Sequence, residues 1–308
     1  YTLSLHDALP IIKKLFGNAA VWSLDFLRET VTALYPLKAI RENETPPPGL
    51  ETLLVVGGGV LIDRAKHWRA TQSPYTKLFV IPSIWGSGAE NSRIAILNEG
   101  GKKSFFIGTE YLPDVRAVWP KLIGGIPDEF IADACGDGWA HALEGFLSPV
   151  GTDETRAELA DVIKGIVDLP IGKDTAWFEF RARACAGQAA SSVGLVHGIA
   201  HTLEVVLRDN NPKRAIGHAG LCSIFLWPVL SLNMKHSIKI HEQINVAGLD
   251  KERIVEIVKS FYDEAVFREL MPVLEEHWRT ILRETSTRTN SMLVRPSYIE
   301  YFKAMDFS

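Results

Sequence analysis

Asp137 and His141 stand four residues apart, as do His197 and His201, and His218 follows after the polar stretch Asp209-Asn210-Asn211-Pro212. On a helix, residues four apart stack on one face, so each pair aims two donor-bearing side chains the same way. One carboxylate with two or three imidazoles on facing helices makes a site for a divalent first-row metal. Iron and zinc both accept this nitrogen-and-oxygen set. A single Asp/His pair of this kind is commonly just a hydrogen bond on a helix. Two such pairs with a further histidine, all within 82 residues of one another, give the metal reading its weight.

Chemistry of a second kind is written earlier in the chain. Thr52-Leu53-Leu54-Val55-Val56 is a continuous apolar run of the sort that forms a buried parallel strand. Gly57-Gly58-Gly59 ends it, and Asp63 to Ala70 has helical character. A strand that turns through glycine into a helix lets a pyrophosphate approach the backbone at the positive end of the helix. The spacing is not the G-x-G-x-x-G fingerprint. The loop from Pro82 to Glu90 carries Ser83, Ser87 and two glycines, and suits a segment that wraps a cofactor.

The elements that must position these residues fall into two textures. Ala19 to Trp22 and Lys77 to Ile81 read as strands, and Phe26 to Leu34 as a helix, with Pro46-Pro47-Pro48-Gly49 as a stiff linker. That alternation predicts an α/β nucleotide-binding domain with a parallel sheet. Beyond Ile126-Pro127 the pattern is helical: 130–147, 155–167, 177–205, 219–232, 251–262 and 273–284 all carry the helical period. An all-α metal and substrate domain is therefore expected over 126–308, after an α/β domain over 12–125. Residues 1–11 read like one frame of a common sequencing-adapter oligonucleotide and are expected to be a cloning or assembly scar. On that reading the α/β domain is truncated at its N-terminus, and His6 and Asp7 receive no role.

Composition narrows the field further. The 308 residues are 46% hydrophobic and 23% charged, enough apolar material for two cores. A net charge of -4 with interspersed signs excludes the one-signed surface of a nucleic-acid binder. No apolar run reaches the roughly 18 residues that cross a bilayer, so no membrane partner is expected. Cys135, Cys185 and Cys222 are too scattered for a disulfide framework or a CxxC site. They read as small buried residues in a reducing compartment, the cytoplasm.

At this point the motifs resemble one known family, the iron-containing alcohol dehydrogenases, also called group III alcohol dehydrogenases, which share the dehydroquinate-synthase-like fold. Gly57-Gly58-Gly59 with Asp63-x-Ala65-Lys66 is similar to the family's glycine motif. Asp137-x-x-x-His141-Ala142-x-Glu144 looks like its first metal motif, Gly194-Leu195-Val196-His197-Gly198-Ile199-Ala200-His201 its second, and Gly217-His218-Ala219 its third. The resemblance runs from about Lys14 to near the C-terminus. It implies hydride transfer between an alcohol/aldehyde pair and NAD or NADP, with Fe2+ or Zn2+ bound. It implies Asp137, His141, His197 and His218 as metal ligands and His201 beside nicotinamide and substrate. It also implies Gly57, Gly58, Gly59, Asp63, Ser83, Ser87 and Lys103 around the cofactor, and is compatible with a homo-oligomer. Ser23 and Asp25 are the candidates for choosing between NAD and NADP.

This sequence departs from the family at Val60, where Ser is usual, and in the second loop, where Trp85 is added. The stretch 34–52 is shorter than usual, and the loop between His201 and His218 longer. Related readings are a dehydroquinate-synthase-like lyase, a glycerol-dehydrogenase-like zinc enzyme and a non-catalytic relative. Asp137 together with three ligand-like histidines favours the dehydrogenase over the first two.

Overall fold

A computed structural model describes residues 2–4, 18–34, 37–85, 87–99, 102–192, 194–210, 216–283 and 298–304. The chain divides into two compact units, Tyr1–Ile126 and Pro127–Ser308. Most of the expected scar, including His6 and Asp7, lies outside the described residues.

The first unit is built on a six-stranded parallel sheet. Its strands are β1 (Thr2–Ser4), β2 (Ala19–Ser23), β3 (Lys38–Ile40), β4 (Thr52–Gly57), β5 (Lys77–Pro82) and β8 (Val115–Val118). They lie in the order β1-β8-β5-β4-β2-β3. Alternate side chains of the central strands feed two separate cores, as the pleat dictates. Ala20, Trp22, Leu53, Val55, Leu78 and Val80 pack on one face with Leu61, Ile62, Ala65 and Trp68. Those four residues belong to a helix that follows β4 directly, α2 (Gly59–Gln72), the second in the chain after α1 (Arg28–Leu34). Val21, Leu54, Val56, Phe79 and Ile81 pack on the other face with Val31, Ala117 and Trp119. Burial on both faces explains why β4 reads as an unbroken apolar run rather than an alternating one.

Two features of this unit were not legible as elements. Thr2–Ser4 form an edge strand parallel to β8, although their sequence has no strand period. Three residues can join an edge through backbone hydrogen bonds alone, which leaves no side-chain pattern to read. Strands β6 (Ile94–Glu99) and β7 (Lys102–Ile107) form a separate antiparallel hairpin. Asp63 anchors it, accepting from Ile96 N–H at 3.1 Å. Buried Lys66 donates to Asp63 at 2.9 Å and to the carbonyl of Ala89 at 2.9 Å, tying the loop after β5 to α2.

A short helix, α3 (Pro120–Gly124), closes the first unit. The second unit is helical among its described residues. Helix α4 (Asp128–Phe146) is its buried axis, and α5 (Asp153–Val167), α6 (Ala176–Ser191) and α8 (His218–His236) pack on it. Between α6 and α8 runs α7 (Leu195–Asn210). Helices α9 (Ile238–Val246), α10 (Lys251–Ser260), α11 (Glu264–Arg283) and α12 (Tyr298–Ala304) complete it. Among the described residues no single helix is long and apolar enough to cross a membrane.

The expectation of one continuous helix over 177–205 is corrected. The chain breaks between Ser191 and Leu195, and the two helices meet at 99°. Ser192 adopts φ 74° and ψ 156°, a positive-φ conformation that no helix can continue through. Ser148 Oγ donates to the Ser191 carbonyl, capping the end of α6. Glu144 then accepts from Gly194 N–H at 2.8 Å and Val196 N–H at 2.6 Å, starting α7 afresh. The cluster Ser191-Ser192-Val193-Gly194 was the available signal for this break.

Candidate functional site

In the helical unit, close packing of α4 against α8 sets the geometry. A Cβ on Gly136 would lie 2.0 Å from Ser223 Oγ, so glycine there is what lets the two helices approach. Asp137, the next residue, is thereby carried against His218 and Cys222 on α8. From α7 comes His197, placed in its first turn by the break at Ser192. One donor atom each from Asp137, His197, His218 and Cys222 lies within 4.8 Å of the others.

The electrostatics of this group are those of a cation site. Asp137 is fully buried, and its Oδ2 accepts from Arg181 Nη2 at 2.9 Å. Its Oδ1 lies 3.5 Å from His197 Nε2, too far for a good hydrogen bond. His141 Nδ1 lies 3.1 Å from the same Oδ1, and neither this oxygen nor His197 Nε2 has a well-formed hydrogen bond. The other nitrogen of His197, Nδ1, sits 2.7 Å from Glu144 Oε2 and donates to it. That bond leaves Nε2 aimed at Asp137 Oδ1, the carboxylate–histidine arrangement that orients a ligating imidazole. Burial opposes charge on His197, but the carboxylates of Glu144 and Asp137 outweigh it and hold its pKa well above the ordinary value. The space between Asp137 and His197 thus draws a positive charge, whether a proton or a metal cation.

Neighbouring groups follow the same logic. Burial pushes the Asp137 pKa up, but the Arg181 guanidinium and the donors His141 and His197 beside it pull harder and hold it well below the usual carboxylate range. Burial drops His141 to about 4, with Arg181 adding to the fall. At neutral pH His141 is therefore uncharged, and the Asp137 carboxylate leans on Arg181. Burial also pushes the Cys222 thiol up to about 12, so a cation must displace its proton before it acts as a thiolate.

Of the expected ligands, Asp137, His197 and His218 come together. His141 is adjacent, with its ring 4.3 Å from that of His197. Its Nδ1 donates to the Asp137 carbonyl at 2.8 Å, and it stands outside the group of four. His201 lies beside the group on α7, its ring stacked on His218 at 5.0 Å and 6.0 Å from His197. Sequence reasoning missed Cys222, taken as a plain buried residue, and the supporting roles of Glu144, Arg181 and Gln188. Gln188 Nε2 lies 3.1 Å from His197 Nδ1. Cys222 is four residues after His218, the same i,i+4 signal that marked the other pairs.

The role of Glu144 gives a first expected result. Glu144→Gln places an amide where four N–H groups, of Gly194, Val196, His197 and Gln188, need an acceptor. Metal affinity is expected to fall about 10–100-fold, the usual cost of losing an outer partner of a ligating histidine. Chelator competition on the purified variant measures this, and an unchanged affinity would refute the orienting role.

In the α/β unit the structure brings Gly57, Gly58, Gly59, Ser83 and Ser87 together. Ser83 N–H donates to the Gly57 carbonyl at 2.9 Å, stitching the second loop to the turn. A Cβ on Gly58 would meet its nearest atom, Ser83 Oγ, only at 4.0 Å, so the backbone is open to a ligand there. At Gly59 a Cβ would lie 2.0 Å from Ser87 Oγ. Helix α2 begins at that residue, so its first-turn N–H groups face the turn. This cradle fits a pyrophosphate.

Asp63 points elsewhere: one carboxylate oxygen takes Lys66 and the other Ile96 N–H, which makes it an anchor for the hairpin. Lys103 stands on β7 opposite Asn98. Trp85, the added residue of the loop, is fully buried. Ser23 is buried at the end of β2, and Asp25 Oδ1 lies 3.5 Å from Glu42 N–H. Gly59→Val should force Ser87 aside, at an overpacking cost of about 1–3 kcal/mol. Dinucleotide affinity is expected to fall about tenfold or more, by calorimetric titration, with metal content unchanged.

No family model matches the chain. In sequence it is 28% identical over 238 residues to 1-propanol dehydrogenase PduQ of Salmonella typhimurium, covering 64% of each protein. The chain thus spans somewhat less than two thirds of the length of the curated relatives it matches. In structure it superposes on an iron-containing alcohol dehydrogenase from Thermococcus thioreducens, with a TM-score of 0.73 and 18% identity, covering 98% of this chain and 96% of the other. A sulfoacetaldehyde reductase from Bifidobacterium kashiwanohense, solved with NAD+, gives a TM-score of 0.72 at 14% identity, covering 99% and 96%. The chain has the fold of the iron-containing alcohol dehydrogenases.

Proposed function

We propose that the chain is a metal-dependent oxidoreductase that moves hydride between an alcohol/aldehyde pair and a nicotinamide dinucleotide. One observation carries the reading. Asp137 Oδ1 and His197 Nε2 face each other at 3.5 Å, both buried, with His218 and His141 close by, an array of donors converging on one point. They do so in a protein with the fold of the iron-containing alcohol dehydrogenases.

Asp137, His197 and His218 hold the metal, Fe2+ or Zn2+. The fourth position falls to His141, as the family resemblance implies, with its Nδ1 held by the Asp137 carbonyl. A metal bound there supplies Lewis acidity, making an alcohol hydroxyl more acidic and an aldehyde carbonyl more electrophilic. Nicotinamide, from NAD or NADP, accepts or delivers the hydride.

The chain's own residues do the rest. Arg181 neutralises the outer oxygen of Asp137 so that its inner oxygen can serve a cation. Glu144 fixes the tautomer and the aim of His197. His201, one turn further along α7, carries the hydroxyl proton toward water. The backbone of Gly57, Gly58 and Gly59 receives the pyrophosphate, flanked by Ser83 and Ser87.

The test is the reduction of NAD+ and of NADP+ with a panel of short primary alcohols, on protein loaded separately with Fe2+ and Zn2+. Reduced nicotinamide is expected to accumulate with at least one combination. Protein that binds both metal and dinucleotide yet turns over no alcohol or aldehyde would overturn the catalytic reading in favour of a binding protein.

A further inference from the structure

We infer that Lys66 is the positioning residue of the dinucleotide site: its buried ammonium holds the glycine turn, the loop after β5 and the β6–β7 hairpin in the arrangement that receives the cofactor. The inference rests on the reading of the turn and loop as a dinucleotide site. It gives a role to a charge that the proposed mechanism leaves unused.

A lysine is almost never fully buried unless its charge is paired, and Lys66 is fully buried. Its ammonium has three protons to donate, and it meets three acceptors on three different segments. Asp63 Oδ1, on α2 itself, accepts at 2.9 Å. The carbonyl of Ala89, in the loop after β5, accepts at 2.9 Å. The third acceptor is the carbonyl of Ile94, the first residue of β6. Asp63 uses its other oxygen to hold Ile96 N–H at 3.1 Å, a second tie to the hairpin. Glu90, beside Ala89, is also buried, and its charge, like that of Lys66, acts on Asp63. A neutral side chain at position 66 would leave these carboxylates buried without this cation.

The tied segments are those assigned to the cofactor. Gly59 opens α2, and Lys66 lies two turns further along the same face. Ser87 precedes Ala89 in the loop, and its Oγ fills the place of a Gly59 side chain, 2.0 Å from where a Cβ would stand. The hairpin carries Lys103 on β7. One ammonium therefore sets the distance between the first N–H groups of α2 and the serine loop. That distance decides whether a pyrophosphate meets its donors already in place or must order them on binding, at a cost in affinity.

The test is calorimetric titration of the whole zinc-loaded chain with NAD+ and with NADP+, joined to amide hydrogen exchange. Lys66→Met should keep its metal and bind the preferred dinucleotide about tenfold or more weakly, because the loop and hairpin must be ordered on binding. Exchange over residues 87–97 should rise in the free variant and fall back when dinucleotide is bound. Lys66→Met, Asp63→Asn removes the uncompensated carboxylate and keeps an acceptor for Ile96 N–H. It should recover stability without recovering dinucleotide affinity, and it carries the same test where the single variant does not fold. Unchanged affinity in either folded variant overturns the inference. Affinity that recovers in step with stability overturns it too, since Lys66 would then act through stability alone. A double variant that cannot fold makes Lys66 a residue of the fold rather than of the site. Unmodified protein that binds neither dinucleotide overturns the cofactor reading itself, and this inference with it.

Discussion

Replacing Arg181 with methionine should destabilise the metal-stripped protein by about 3–5 kcal/mol, the usual cost of removing one partner from a buried ion pair. Both side chains of the Arg181–Asp137 pair are fully buried, and the contact is 2.9 Å. Methionine keeps much of the side-chain volume, so the loss reports chiefly on the charge rather than on a cavity. With Arg181 gone, Asp137 must either take up a proton or stay ionised in a pocket that no longer compensates it. A bound divalent cation would restore that compensation. The deficit should therefore shrink when the variant is loaded with Zn2+. Urea unfolding of the unmodified protein and of Arg181→Met, each with chelator and with metal, gives the four numbers required. Adding Asp137→Asn to Arg181→Met should recover part of the stability without metal. A deficit that is equal with and without metal would show that Arg181 serves packing alone.

How far the sequence reaches depends on whether a feature is local. Asp137 with His141, and His197 with His201, were legible because i,i+4 spacing is fixed by the helix itself. The glycine turn was legible because strand, turn and helix are contiguous. Arg181 and Glu144 were not legible in their roles. Arg181 meets Asp137 across 44 residues of chain, and Glu144 meets His197 across 53. Such pairings depend on how α4, α6 and α7 cross, which no local pattern encodes. Cys222 is a different case: its spacing from His218 repeats the signal used elsewhere, but a buried cysteine has an apolar reading of equal simplicity.

The sheet shows the same division. β4 and β5 announce themselves because both faces are buried and the run is long. β3 has three residues and β8 four, too short for periodicity to register. The helix expected over 177–205 failed because helical period is insensitive to a sharp bend. Residues on either side of Ser192 keep a helical pattern, while the φ of 74° that separates them is a property of one position. That single turn decides the site, since it moves His197 from the middle of a long helix to the first turn of a new one.

The contrast between His197 and His201 follows from that placement and gives the largest expected change in activity. His197→Ala removes the nitrogen that faces Asp137 Oδ1, and both bound metal and turnover should be lost together; His218→Ala should behave in the same way. His201 is on the same face of α7 but one turn further, its ring 6.0 Å from that of His197 and stacked on His218. It stands outside the group of four donors, so His201→Ala should keep its metal in full. Turnover should nevertheless fall about 10²-fold or more, the usual contribution of a positioned acid–base group. Metal content by elemental analysis, dinucleotide affinity by titration and single-turnover rate, measured on the same preparation, separate the two roles. Metal lost from His201→Ala would make His201 a ligand. A full-rate variant would leave it as a side chain that merely packs against His218.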